Sequence, residues 1–119
     1  IGRVILELPG GAADKDEPPL AAARRELLEE TGFGGGEWIE TGQIVADPAT
    51  FNNQMHCFLA TGVERLGAPR LDETEELEVV LIPLSEVIRL AHTSQMPQAM
   101  HVSALFFALA HLDRSCKKP

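Results

Sequence analysis

Apolar and polar positions change rhythm several times along the chain, and each change marks an element. Arg3 to Leu8 is a short, mostly apolar run stopped by Pro9-Gly10-Gly11, which predicts a strand ending in a turn. Ala12 to Glu17 is polar and acidic and reads as a loop. Pro18 and Pro19 stand where the first turn of a helix tolerates proline, with Asp16 or Glu17 at its positive end. That helix runs to about Thr31, and Gly32 supplies a left-handed stop. Beyond Gly34-Gly35-Gly36, the runs Trp38 to Val45 and Met55 to Val63 predict strands, and Glu78 to Ile82 a third. Ser85 to about His92 predicts a short helix with Ser85 as N-cap and Pro83 just before it. After Pro97, Gln98 to Leu112 predicts a longer helix whose apolar face is Met100, Leu105, Phe106, Leu109 and Leu112. Strands and helices mixed in this order predict an α/β fold, a sheet covered by helices on its faces.

Length and composition narrow the picture. At 119 residues the chain has material for one domain, 1–119, and two independent cores are not expected. Hydrophobic residues make up 45% and charged residues 24%, which excludes a largely disordered chain. No apolar run approaches the ~18 residues that span a bilayer, so no membrane partner is expected. Ten Lys and Arg against eighteen Asp and Glu give a net charge of −8. A nucleic-acid partner would need a basic face and is not expected, whereas bound cations are favoured. Cys57 and Cys116 form no metal or disulfide pattern; the expectation is a buried Cys57, an exposed tail thiol at Cys116 and a reducing, cytoplasmic setting.

The chemistry concentrates in residues 11–33. Gly11 is followed after five residues by Glu17, and after seven more by Arg25-Glu26-Leu27-Leu28-Glu29-Glu30-Thr31-Gly32-Phe33. On a helix, Glu26, Glu29 and Glu30 fall within an arc of about 100°, with Leu20, Leu27 and Leu28 opposite. Like charges so placed repel, which a chain tolerates when dications neutralise them. Oxygen ligands without His or Cys select Mg²⁺ or Mn²⁺ rather than zinc. Arg25, adjacent on the same face, can hold one carboxylate by a bidentate pair. The bland alternative is a solvated acidic helix face.

The full pattern G-x5-E-x7-R-E-U-x-E-E-x-G-U, with U apolar, is matched at Gly11, Glu17, Arg25, Glu26, Leu27, Glu29, Glu30, Gly32 and Phe33. The chain therefore resembles the Nudix hydrolases. That resemblance implies an α/β/α sandwich with a mixed sheet, and a loop–helix–loop holding divalent metal against a pyrophosphate. By it, Glu26 and Glu30 are the main metal ligands, Glu29 lies near the metals, and the Gly10 carbonyl joins them. Polarised phosphoryl oxygens and a more acidic attacking water are the chemistry such metals supply.

Finer resemblance lies outside the box. Glu7-Leu8-Pro9-Gly10-Gly11 is similar to the lead-in of the ADP-ribose pyrophosphatase branch, and Pro48, fifteen residues beyond Phe33, stands where a proline marks that branch. The chain has no Tyr, so the tyrosine marking diadenosine polyphosphate hydrolases is missing. Asp72-Glu73-Thr74-Glu75-Glu76 resembles the acidic loop of the same branch, which makes Glu73 the general base and Glu75 a further ligand. The candidate catalytic residues are thus Glu73, Glu29 and Arg25, the candidate metal ligands Gly10, Glu26, Glu29, Glu30 and Glu75. Pro48, Phe51 and Asn53 are the candidate substrate contacts. His56 reads as packed or hydrogen-bonded, and His92, His101 and His111 as ordinary surface or interface residues. Trp38 and Phe33 read as core.

The implied reaction is Mg²⁺-dependent hydrolysis of ADP-ribose or a similar nucleoside diphosphate sugar to AMP and a sugar phosphate, by a homodimer. A hydrolase of nucleoside triphosphates and a ligand-sensing module without turnover are the alternatives. Nudix domains carry one or two strands before the lead-in strand. This chain opens with Ile1 and has ten residues there, so an N-terminally incomplete domain is expected.

Overall fold

A computed structural model describes residues 8–11, 13–45, 54–71 and 77–116, with side chains to 113. It contains α1 (Pro19–Thr31), β1 (Phe33–Gly34), β2 (Glu37–Val45), β3 (Gln54–Thr61), β4 (Glu64–Arg65), α2 (Leu84–His92) and α3 (Ala99–Cys116). The predicted strand from Arg3 falls almost wholly outside the described residues. The chain divides into two compact units, one of Pro9–Ile39 and Ala60–Leu81, the other of Ile1–Leu8, Glu40–Leu59 and Ile82–Pro119.

In the first unit, proline sets where α1 begins. Pro18 is its N-cap with extended backbone, and Pro19 opens the first turn, where a missing N–H costs nothing. No side chain caps this end, and Glu17 turns to Arg25 instead. The other end is capped as expected: Gly32 has φ 78°, and its amide donates to the Leu28 carbonyl at 2.8 Å. The Thr31 hydroxyl donates to the Leu27 carbonyl (2.6 Å) and accepts from the Phe33 amide (3.0 Å), which turns the chain into β1. β1 pairs antiparallel with β4, Phe33 opposite Arg65 and Gly34 opposite Glu64.

The chain after β4 is then laid over the end of α1. The amides of Leu66 and Gly67 donate to the Gly32 carbonyl (2.8 and 3.2 Å), and that of Arg70 to the Glu29 carbonyl (2.6 Å). Carbonyls that a helix end leaves unbonded are thereby satisfied. A methyl group on Gly32 would run into the Gly67 carbonyl oxygen, so only glycine permits this approach. Of the leucines expected on the far side of α1, Leu20 is exposed and Leu27 and Leu28 are half-buried, while Ala22 is the buried residue.

The second unit holds the larger share of buried apolar residues: Cys57, Leu90, Met96 and Leu105. β2 and β3 are hydrogen-bonded neighbours, and the Thr41 hydroxyl donates to the Cys57 carbonyl at 3.1 Å. Gly42 lies under the Phe107 ring, where a methyl group would come within 2.6 Å of it. Burial pushes the Cys57 thiol pKa up, with the Glu40 carboxylate adding to the effect, so Cys57 is a small apolar core residue as expected.

Three expectations need correction. Glu78 to Ile82 is not a strand among the described residues; it is irregular and exposed, Leu81 by 75%. Alternating β-formers favour extended backbone, but a strand exists only through hydrogen bonds to a neighbour, and no described residue provides them. Ser85 is not the N-cap of α2, because the helix starts one residue earlier, after Pro83. Phe106 is 66% exposed and packs edge-on against Phe107, so the buried side of α3 is set by Leu105 rather than by both.

Candidate functional site

α1 brings Glu26, Glu29 and Glu30 together with Arg25 in the arc that helical geometry requires. What spacing alone leaves open is how the guanidinium divides itself. Arg25 Nε donates to Glu17 Oε2 at 2.9 Å and Nη2 to Glu17 Oε1 at 3.1 Å, a bidentate pair. Its Nη1 donates to both Glu26 Oε1 and Glu29 Oε2, each at 3.1 Å. One cation therefore closes the loop before α1 onto the helix and sits between two of the acidic residues.

Glu17 completes that closure from the other direction. Its Oε1 accepts the Asp14 amide at 2.9 Å, and the Glu17 amide donates to the Asp14 carbonyl at 3.0 Å. The Arg25 guanidinium first, and the Asp14 amide second, hold the Glu17 carboxyl below its usual pKa. Glu17 in turn raises the Arg25 pKa further above its already high value. Sequence reasoning places Glu17 at the positive end of α1 and in the motif but does not pair it with Arg25; the signal for that pairing is that the motif fixes an acid eight positions before an arginine.

The glycine lead-in meets the same helix face. The Gly10 amide donates to Glu30 Oε1 at 3.1 Å. A methyl group on Gly11 would lie 2.5 Å from the Glu26 carboxyl carbon, so the backbone at Gly11 rests against that carboxylate. Gly10, Gly11, Glu26 and Glu30 are thus neighbours. A donor set of carboxylate oxygens with glycine backbone alongside fits a hard dication. Among the described residues, no group of three or more His, Cys, Asp or Glu side chains stands ready to hold a metal. On this face Arg25 Nη1 donates to both Glu26 and Glu29, and Glu30 accepts from the Gly10 amide.

The other candidates divide clearly. Glu73 and Glu75, and Pro48, Phe51 and Asn53, lie outside the described residues. The acidic run begins two residues beyond Arg70, whose amide is bonded to the carbonyl of Glu29. His56 is satisfied as expected, its Nδ1 2.9 Å from Glu40 Oε1. The Gln43 amide and then His56 lower the Glu40 pKa. His101, expected to be an ordinary surface or interface residue, is half-buried, and its Nδ1 accepts the Leu8 amide at 3.3 Å. Trp38 is half-buried, donates from Nε1 to the Gly35 carbonyl (2.8 Å) and lies 5.8 Å from the Arg24 guanidinium carbon.

Comparison with known proteins agrees with this geometry. The NUDIX domain model matches residues 2–103. An "ADP-ribose pyrophosphatase" of Bacillus subtilis (strain 168) is 32% identical over 104 residues, 87% of this chain and 56% of the relative. A "GDP-mannose pyrophosphatase" of Escherichia coli O1:K1 / APEC is 28% identical over 111 residues, 91% of this chain and 58% of the relative. A solved structure titled "Crystal structure of ADP compounds hydrolase" superposes with a TM-score of 0.75 at 30% identity, covering 87% of this chain and 55% of that one. The chain spans about half the length of the curated relatives it matches.

Proposed function

The chain belongs to the Nudix family, and on that premise we propose that it is a pyrophosphohydrolase of nucleoside diphosphate sugars, with ADP-ribose the preferred substrate and Mg²⁺ the metal. The observation that carries the reading is the convergence of Gly10, Gly11, Glu26, Glu29, Glu30 and Arg25 at one face of α1. A family match running from residue 2 to 103, across both compact units, supports one Nudix domain over 1–119. A homodimer and a cytoplasmic setting complete the reading; they rest on resemblance and composition.

Glu26, Glu30, Glu29, the Gly10 carbonyl and Glu75 are the groups that would hold the dication, which when bound neutralises phosphoryl charge and makes the attacking water more acidic. Arg25 keeps Glu26 and Glu29 side by side and anchors the loop through Glu17, so the carboxylates are organised before a substrate arrives. Glu73 takes the proton of the water that attacks one phosphorus. The bridging P–O bond breaks, and AMP and a sugar phosphate leave. Pro48, Phe51 and Asn53 contact the substrate in this reading.

The test is a panel of ADP-ribose, GDP-mannose, a dinucleoside polyphosphate and a nucleoside triphosphate, assayed with Mg²⁺ and with excess EDTA. ADP-ribose is expected to give the highest kcat/KM, and Glu30→Gln to lower kcat by about 10²-fold or more with the melting temperature kept. Turnover undiminished in EDTA, or full turnover by Glu30→Gln, overturns the metal-dependent reading. A tenfold preference for the triphosphate overturns the substrate class and leaves the family intact.

A further inference from the structure

The residues that follow β4 lie in the same compact unit as α1, and their backbone is fixed against its C-terminal end. The amides of Leu66 and Gly67 donate to the Gly32 carbonyl, and the Arg70 amide donates to the Glu29 carbonyl at 2.6 Å. Pro69, between those two anchors, has its φ fixed by the ring. Arg70 is thus held by its main chain at the residue whose carboxylate accepts from Arg25 Nη1. Its side chain is exposed, and its guanidinium has no hydrogen bond or ion pair among the described residues.

The other cations of this unit are engaged or placed elsewhere. Arg25 is bonded to Glu17, Glu26 and Glu29. Arg24 lies over the Trp38 ring, 5.8 Å from its centroid. Arg65 is in β4, opposite Phe33. Lys15 stands between Asp14 and Asp16, in the turn that the Glu17 amide closes. Arg70 therefore has its whole planar fork of N–H donors available, the geometry that matches phosphate oxygens. The unit carries thirteen Asp and Glu against five Lys and Arg, so a diphosphate approaching it meets an excess of negative charge. A cation within reach of the carboxylate face favours that approach.

We propose that Arg70 is a substrate contact for the pyrophosphate, its guanidinium donating to the non-bridging oxygens of one phosphate. An arginine side chain is longer than a glutamate's, and from an anchor on the Glu29 backbone it reaches the face where the Glu29 carboxylate lies. Those oxygens are charged in the ground state and in the transition state alike, so loss of the contact is read in KM more than in kcat. This inference rests on the pyrophosphohydrolase reading above.

The experiment measures KM and kcat with Mg²⁺ for ADP-ribose and, in parallel, GDP-mannose, on the full chain, Arg70→Gln and Arg70→Lys. A nucleotide that is not turned over is titrated as an inhibitor instead. Mn²⁺ affinity and melting temperature are recorded for each protein. Both substitutions keep the amide that bonds Glu29, so the end of α1 stays covered. Arg70→Gln is expected to raise KM about thirtyfold for both nucleotides, the size of a hydrogen bond to a charged group, with kcat within about threefold. Arg70→Lys keeps the charge and loses the fork, and is expected to fall between Gln and the parent. Mn²⁺ affinity should stay within about twofold in both variants, because an exposed charge contributes little there. An unchanged KM in Arg70→Gln overturns the proposal. Mn²⁺ affinity or melting temperature falling in step with KM overturns it too, since that marks a structural role. A loss confined to one nucleotide overturns the phosphate assignment, because the diphosphate is what the two share. A parent that hydrolyses neither nucleotide overturns the pyrophosphohydrolase reading and this inference with it.

Discussion

The stretch from Pro9 to Gly34 and the stretch from Leu77 to Leu84 are both written emphatically in the sequence, and they end in opposite physical situations. In the first, nearly every strong residue finds its partner within the same stretch: Glu17 with Arg25, Arg25 with Glu26 and Glu29, Gly10 with Glu30, Thr31 with Leu27 and Phe33. In the second, Leu77, Val79, Val80, Leu81, Ile82 and Leu84 are all exposed, and no regular pairing exists among the described residues. Within the helix, pairs one and four residues apart are met locally, and the loop before it supplies Glu17 and Gly10 from eight and twenty positions away. A β-run cannot be met locally, because half of its requirement is another strand.

The comparison breaks first, and by the largest effect, at Gly32. Gly32→Ala puts a side chain at φ 78° and against the Gly67 carbonyl, so it should lower unfolding stability by about 2 kcal/mol or more. The midpoint of denaturant unfolding measures this. A loss under about 0.5 kcal/mol would mean that the box region is not as tightly self-bonded as its geometry states.

A medium effect is expected from acid. The Glu17 carboxyl is held below its ordinary value of 4.5 in the folded chain, chiefly by Arg25. A depressed native pKa stabilises the fold fully above the unfolded value and loses that contribution as pH falls through the native one. Melting temperature should therefore drop on acidification below about pH 4.5, and Glu17→Gln should show a flatter profile over that window. Parallel profiles for the two proteins would remove Glu17 from the closure of the loop.

The smallest effect is predicted where the apolar run is most exposed. Leu81, at 75% exposure, has little packing to lose, so Leu81→Ser should leave stability within about 0.5 kcal/mol of the parent. A loss of about 2 kcal/mol or more would show that this leucine is buried in solution, and the contrast between the two stretches would close.

The sequence by itself determined the box helix: its proline entry, its Gly32 exit, the shared face of Glu26, Glu29 and Glu30, and the family they signal. Those features follow from φ preferences and a fixed helical period, which act over a few residues. It also marked β2, β3, α2 and α3 to within a few residues, because their apolar runs are long and bounded by Gly or Pro. Tertiary structure alone decided the rest. Only the folded chain shows that one Arg25 guanidinium is shared by Glu17, Glu26 and Glu29, that residues 66–70 cover the end of α1, and that His101 holds Leu8. It decided as well that Phe106 faces outward while its neighbour Leu105 is buried. Each of these depends on which partner arrives in space, and the free energy of a hydrogen bond or a buried side chain belongs to the pair, not to either residue's place in the sequence.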